Sequence, residues 1–232
     1  MTVILLRHGR STANTAGVLA GRSEGVALDE KGVEQAQALV GWLAELPIAA
    51  LVTSPLLRCQ QTVAPLAQAR GLAPQQEPRL VEVDYGSWTG QELKSLLNEP
   101  LWKVVQQQPS AAVFPEGEGL AQVQARAVAA VREHDARLAA EHGTDVLWVA
   151  CTHGDVIKSV LADALGGHLD TFQRIVADPC SASVIRYTEL RPFVLRSNDT
   201  GGDLSSVIPA PPKAAEDGAP TADAVVGGST GA

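Results

Sequence analysis

The chain has 232 residues, 45% of them apolar and 19% charged, enough for one sizeable core, and its formal net charge of −8 argues against a broad nucleic-acid-binding surface. No apolar run approaches the ~20 residues of a membrane span, and the opening Met1–Leu6 run stops at Arg7 without a signal-peptide pattern. Cys59, Cys151 and Cys180 are odd in number and far apart, which suits reduced thiols; the expectation is a cytoplasmic protein with no membrane and no nucleic-acid partner.

Val3–Leu6 is a short continuous apolar run, as for a strand buried on both faces. From Lys31 to Leu46 the spacing of Val33, Ala36, Leu39, Val40 and Leu43 predicts a helix. Ala49–Thr53 reads as a second strand, followed by a helix from Pro55 to Arg70 that Gly71 stops. Residues 80–90, rich in Gly, Tyr and Trp, read as a strand end and a loop. Gly119–His142 is a long helical segment ended by Gly143. Val146–Cys151 is the strongest buried-strand signal, and a helix follows from Asp155 to Leu165. Ser183–Tyr187 and Phe193–Arg196 form a closing pair of strands.

Strands alternating with long helices imply an α/β fold, a three-layer sandwich with a mainly parallel central sheet flanked by helices. One domain is expected over residues 1–198. Residues 199–232 hold much Gly, Pro and Ala and carry about half of the net negative charge; they read as a flexible tail.

In an open parallel sheet, ligands bind beyond the C-terminal strand ends. Two strands here end alike, one in Arg7-His8-Gly9 and the other in Thr152-His153-Gly154. A metal site would need a third ligand, and what lies nearby is arginine, which repels a cation: Arg7 adjoins His8, and Arg58 follows the second strand. Arginines with histidines suit a tetrahedral dianion. No metal and no cofactor are expected.

Five blocks then resemble the histidine phosphatase superfamily, the phosphoglycerate mutase-like family. Arg7-His8-Gly9 with Ser11 and Asn14 is similar to the family's opening motif, and Ser54-Pro55-Leu56-Leu57-Arg58-Cys59-Gln60-Gln61-Thr62 to its second block. Glu82 through Gly90 resembles its Glu-x-x-x-Gly-x-Trp-x-Gly segment, Phe114–Glu118 its Pro-x-Gly-Glu turn, and Val149–Gly154 its second-histidine strand. The blocks come in family order across residues 3–190. The whole chain also resembles an actinobacterial branch whose members are called phosphoglycerate mutase or acid phosphatase.

The resemblance implies roles. His8 would attack phosphorus and form a phosphohistidine, its other nitrogen fixed by a backbone carbonyl. Arg7, Arg58 and His153 would hold the phosphoryl oxygens, with Asn14, Ser11 and Gly154 completing the substrate-binding set. Glu82 would protonate the leaving oxygen, with Asp84 on the same strand face as the other candidate; an acidic optimum would follow. Arg10, where the family has Glu or Gln, either adds charge near the phosphate or points to solvent. The Gly21–Leu28 segment matches the family's substrate loop only loosely. His134, His142 and His168 read as surface residues, and Trp88, Trp102 and Cys151 as packing.

The expected activity is that of an acid-phosphatase-like phosphomonoesterase acting on a small phosphorylated substrate. A phosphoglycerate mutase is the nearest alternative, and a phospho-ligand-binding module without turnover the other. The 90–119 segment, the expected lid, is shorter than in mutases and carries only Lys94 and Lys103 as bases, which favours hydrolysis. A homo-oligomer is compatible with the sequence, which does not name the substrate.

Overall fold

A computed structural model describes residues 1–201 of the chain. The expected tail therefore lies, from residue 202 onward, outside the described residues.

Six strands form one sheet: β1 (Thr2–Arg7), β2 (Ile48–Thr53), β3 (Gln75–Gln76), β4 (Leu147–Thr152), β5 (Ala182–Tyr187) and β6 (Pro192–Asp199). Their order is β3-β2-β4-β1-β5-β6. The first four in that order are parallel, and β5 and β6 add an antiparallel hairpin. The α/β three-layer expectation holds.

Side chains alternate across the strands and supply two cores. Ile4, Leu6, Leu51, Val149 and Cys151 face a core shared with helices α2 (Glu30–Trp42) and α3 (Leu57–Arg70), which contribute Leu39, Cys59, Val63 and Leu66. Val3, Leu5, Val52, Trp148 and Ala150 face the larger core. Covering it are α6 (Leu120–His142), with Val123, Ala127 and Val131, and α7 (Gly154–Ala164), with Val156, Ile157 and Val160. Three shorter α-helices complete the set among the described residues: α1 (Thr12–Ala16), α4 (Leu93–Leu96) and α5 (Pro100–Gln107). α1 and α4 are too short for apolar periodicity to mark them, whereas α5 is amphipathic and buries Trp102 and Val105, three residues apart. Among the described residues no helix is long and apolar enough to cross a membrane.

The predicted stops after α3 and α6 are real: Gly71 and Gly143 both take left-handed φ. Two expectations change. The helix expected from Pro55 begins at Leu57, because the Ser54 N–H still extends the sheet by donating to the Cys151 carbonyl at 2.9 Å. Residues 80–90 contain no strand. They form a loop between 3-10 turns at Pro78–Leu80 and Gly86–Trp88, and Arg126 of α6 holds it by donating to the carbonyls of Arg79, Val81 and Glu82. The expected lid is folded rather than open, with Trp102 of α5 buried against Trp88, ring centroids 6.4 Å apart. Both tryptophans pack the core.

After β1 the chain crosses to β2 over one face through α2. After β4 it crosses to β5 over the other through α7. The C-terminal ends of neighbouring β1 and β4 therefore open a crevice, the place where this topology receives ligands.

Candidate active site

His8 follows the last residue of β1 and His153 the last residue of β4, and strand pairing sets them side by side. Their rings are 5.2 Å apart at 61°. The backbone around His8 is fixed from several sides: its N–H donates to the Thr152 carbonyl at 3.0 Å, and its carbonyl accepts from Cys180 at 3.1 Å. The Gly9 N–H donates to Thr62 Oγ1 of α3 at 2.9 Å. Next to it Gly32, in the first turn of α2, comes so close that a Cβ there would sit 2.0 Å from the Arg10 carbonyl oxygen.

His8 Nδ1 lies 2.7 Å from the Gly9 carbonyl oxygen, so that nitrogen carries the proton and Nε2 the lone pair. Burial, then Arg58 and Arg7, hold the imidazole well below its ordinary pKa. Burial, Arg58 and His8 do the same to His153. Both rings are neutral near pH 7. His153 caps α7, bonds Ser54 Oγ through Nε2 at 2.8 Å, and places Nδ1 4.0 Å from Glu82 Oε2.

The arginines flank His8 as expected, and both are almost fully buried. Arg7 Nη1 donates to the Ala177 carbonyl at 2.7 Å, and Arg58 Nη2 to the Gly21 carbonyl at 2.8 Å. Arg58 Nη1 is buried with no hydrogen-bond partner among the described residues. A buried guanidinium N–H in that condition is costly until an acceptor meets it.

Glu82 is 5% exposed, and its Oε1 accepts from the Val83 N–H at 2.9 Å. Burial first, then the charge of Asp155, raise its pKa to about 7. The elevation thus precedes any ligand. Asp84 lies apart from this carboxyl's cavity. It is half-buried in the loop, accepts from the Gly86 N–H at 3.0 Å and pairs with Arg22 at 3.5 Å, and it does not line the cavity.

A cavity, partly open to solvent, lies against these side chains. Arg7, His8, Ser11, Asn14, Arg58 and Glu82 line its polar end. Ser11 N and Oγ both donate to Asn14 Oδ1, at 3.0 and 2.8 Å, as the cap of α1. That leaves the Asn14 amide NH₂ as the outward donor and gives Ser11 the task of orienting it. His153 and Gly154 lie behind this wall: His153 is fully buried against His8, and Gly154 opens α7 with a first-turn N–H. Arg10 lies apart from the cavity lining, its Nε 2.5 Å from Asp29 Oδ2, so its charge is neutralised locally. His134 is not a surface residue: it is 5% exposed, with Nε2 2.9 Å from Glu77 Oε2 and its ring against Trp148. Cys151 is buried as expected, its thiol pKa pushed well up by desolvation.

Sequence reasoning missed a second buried layer. The Tyr85 hydroxyl donates to Asp155 Oδ2 at 2.7 Å, and Lys158 Nζ stands 3.7 Å from Asp155 Oδ1. All three are at most 2% exposed. The available signal was position: Asp155 comes two residues after His153, and Lys158 one helical turn later. Among the described residues no group of three or more His, Cys, Asp or Glu could hold a metal ion.

Relatives match along most of the chain. It is 29% identical over 204 residues to phosphoserine phosphatase 1 of Hydrogenobacter thermophilus, spanning 85% of this chain and 92% of that one. It is 31% identical over 191 residues to the "probable phosphoglycerate mutase GpmB" of Yersinia pestis, spanning 82% and 86%. Among solved structures, Bacillus stearothermophilus YhfR superposes with a TM-score of 0.77 at 26% identity, over 85% of this chain and 96% of that one. The family model of the histidine phosphatase superfamily, branch 1, matches residues 3–200, and with the paired strand-end histidines and buried arginines in place, the chain belongs to that family.

Proposed function

We propose that the chain is a phosphomonoesterase that hydrolyses a small phosphorylated metabolite through a phosphohistidine on His8. The observation that carries this reading is the bond from His8 Nδ1 to the Gly9 carbonyl, which leaves a neutral ring with its Nε2 lone pair beside two buried arginines.

In the first half-reaction Nε2 attacks phosphorus, the P–O ester bond breaks, and the leaving oxygen takes the proton of Glu82. In the second, water attacks the phosphohistidine, Glu82 recovers a proton from that water, and the P–N bond breaks to release inorganic phosphate. Arg7, Arg58 and the Asn14 amide neutralise the phosphoryl oxygens, and His153 stands behind them as a further donor. Ser11 orients Asn14, and the first-turn N–H of Gly154 adds a positive helix end. The arginines supply the positive charge that a metal supplies elsewhere, so turnover is expected to survive chelators. A general acid with a pKa of about 7 gives an acid-to-neutral optimum. The expected compartment is the cytoplasm.

The test is a rapid quench in alkali after mixing with radiolabelled aryl phosphate. Labelled protein should appear, and His8→Ala should abolish both label and turnover. Full activity in that variant would refute the mechanism. The 31% identity to the GpmB protein favours a mutase as the second reading. Fast isomerisation of 3-phosphoglycerate with a bisphosphoglycerate primer, with slow hydrolysis, would select it.

A further inference from the structure

The polar end of the cavity accounts for a phosphoryl group, and the remaining wall faces whatever alcohol carries it. That wall consists of Ala13, Gly17, Val18, Leu19, Ala20, Leu93 and the ring of Tyr85. It holds no side chain of either charge.

The wall is also fixed. Leu93 N–H donates to the Gly17 carbonyl at 2.9 Å, Leu19 N–H to the Gln91 carbonyl at 2.9 Å, and Gly90 N–H to the Leu19 carbonyl at 2.8 Å. Val18 pairs with Glu92 in an antiparallel bridge. Two loops distant in sequence are thus sewn together along their backbones, which keeps Val18 and Leu93 in place.

Among the described residues, the cations around this wall are either paired elsewhere or exposed outside the cavity lining. Arg22, next to Gly21, spends Nε on the Glu82 carbonyl at 3.1 Å, Nη1 on Asp84 at 3.5 Å and Nη2 on Glu118 at 2.7 Å. Arg10 is paired with Asp29. Lys158 is buried between Gln173 and Asp155. Lys94 and Lys103 are exposed and do not line the cavity.

A carboxylate on the alcohol half would leave water for this apolar wall without a partner, which is strongly unfavourable. It would also meet the negative charge of Glu82 whenever that group is ionised. We propose that the site selects phosphate monoesters of uncharged alcohols with an apolar face, and that Val18 and Leu93 impose the selection against carboxylated substrates. The proposal rests on the phosphatase reading above. It sets this chain apart from substrates such as phosphoserine and phosphoglycerate, both of which carry a carboxylate.

The experiment uses matched pairs: propyl phosphate with its ω-carboxylate analogue 3-(phosphonooxy)propanoate, and phenyl phosphate with 4-carboxyphenyl phosphate. The neutral member of each pair should have the higher kcat/KM, by at least about tenfold. Leu93→Arg should narrow or invert that ratio, and Val18→Lys repeats the test on the opposite loop. Equal or faster turnover of the carboxylated members, with phosphohistidine still formed on His8, would overturn the substrate class and leave the phosphatase reading standing. A wild-type preference untouched by either variant would overturn the assignment to this wall. No hydrolysis of any member and no label on His8 would overturn both.

Discussion

Replacing Glu82 by glutamine isolates the proton donor. The carboxyl is buried beside Asp155, and these two causes raise its pKa from 4.5 to about 7. An unperturbed glutamic acid would be only about 0.3% protonated at pH 7, so the raised value gives roughly 150-fold more of the acid form there. Glutamine preserves the volume and the bond from the Val83 N–H but has no proton to give. Positioned acid catalysis contributes about 10²- to 10⁴-fold, and kcat/KM for an alkyl phosphate should fall by that order. An activated aryl phosphate, whose phenolate leaves without a proton, should lose far less. The pH profile is the second readout. With the alkyl ester, wild-type activity should decline above about pH 7, toward tenfold per unit, because the acid form is titrated away. In Glu82→Gln that limb should vanish. An unchanged limb, or equal losses on the two ester types, would refute the assignment of Glu82 as the acid.

The same variant carries a stability prediction. A carboxyl whose folded pKa is raised supports the fold fully below its unfolded pKa near 4.5, and that support is lost as pH rises through about 7; Glu82→Gln should therefore be more stable than wild type in urea unfolding at pH 8, by on the order of 3 kcal/mol, and show little gain at pH 4.5. Gly32→Ala would place a methyl 2.0 Å from the Arg10 carbonyl oxygen, so α2 must shift from the Gly9–Arg10 backbone; both thermal stability and kcat should fall, and a variant with both intact would show the close approach to be dispensable. His134→Ala removes a buried partner of Glu77 and should cost about 1–3 kcal/mol in urea unfolding while leaving kcat unchanged; a large loss of kcat would mean that this pair reaches the site.

Much of the layout was legible in the sequence because strands buried on both faces are continuous apolar runs, and the two glycine stops are unambiguous. The strand-end histidines were legible for the same reason: each ends a run that can only be a central strand. The loop within residues 80–90 was read correctly, but the strand end is absent: Val81-Glu82-Val83-Asp84-Tyr85 alternates as a strand does, while its actual fold is set by Arg22 and Arg126 from elsewhere in the chain. His134 was taken for a surface residue because Glu133 and Asp135 flank it. Its spacing from Ala127, Val131 and Leu138 puts it on the buried face of α6. Asp155 is an acidic residue in the first turn of α7, and only tertiary packing makes it the neighbour that raises the pKa of Glu82.

The place of β1 in the sheet also governs when the site can exist during synthesis. β1 is made before the other described strands, yet among the described residues it pairs only with β4 and β5: Thr2 meets Leu147 on one side and Arg186 on the other. Arg7 and His8 further rely on Ala177 and Cys180 to fix their side chain and backbone. About three quarters of the domain must be translated before β1 finds its neighbour β4, and until then a bare apolar segment is open to wrong partners. Such non-local pairing makes folding slow. A ribosome-stalled chain ending before β5 should have helices α2 and α3 but no phosphoryl-binding site.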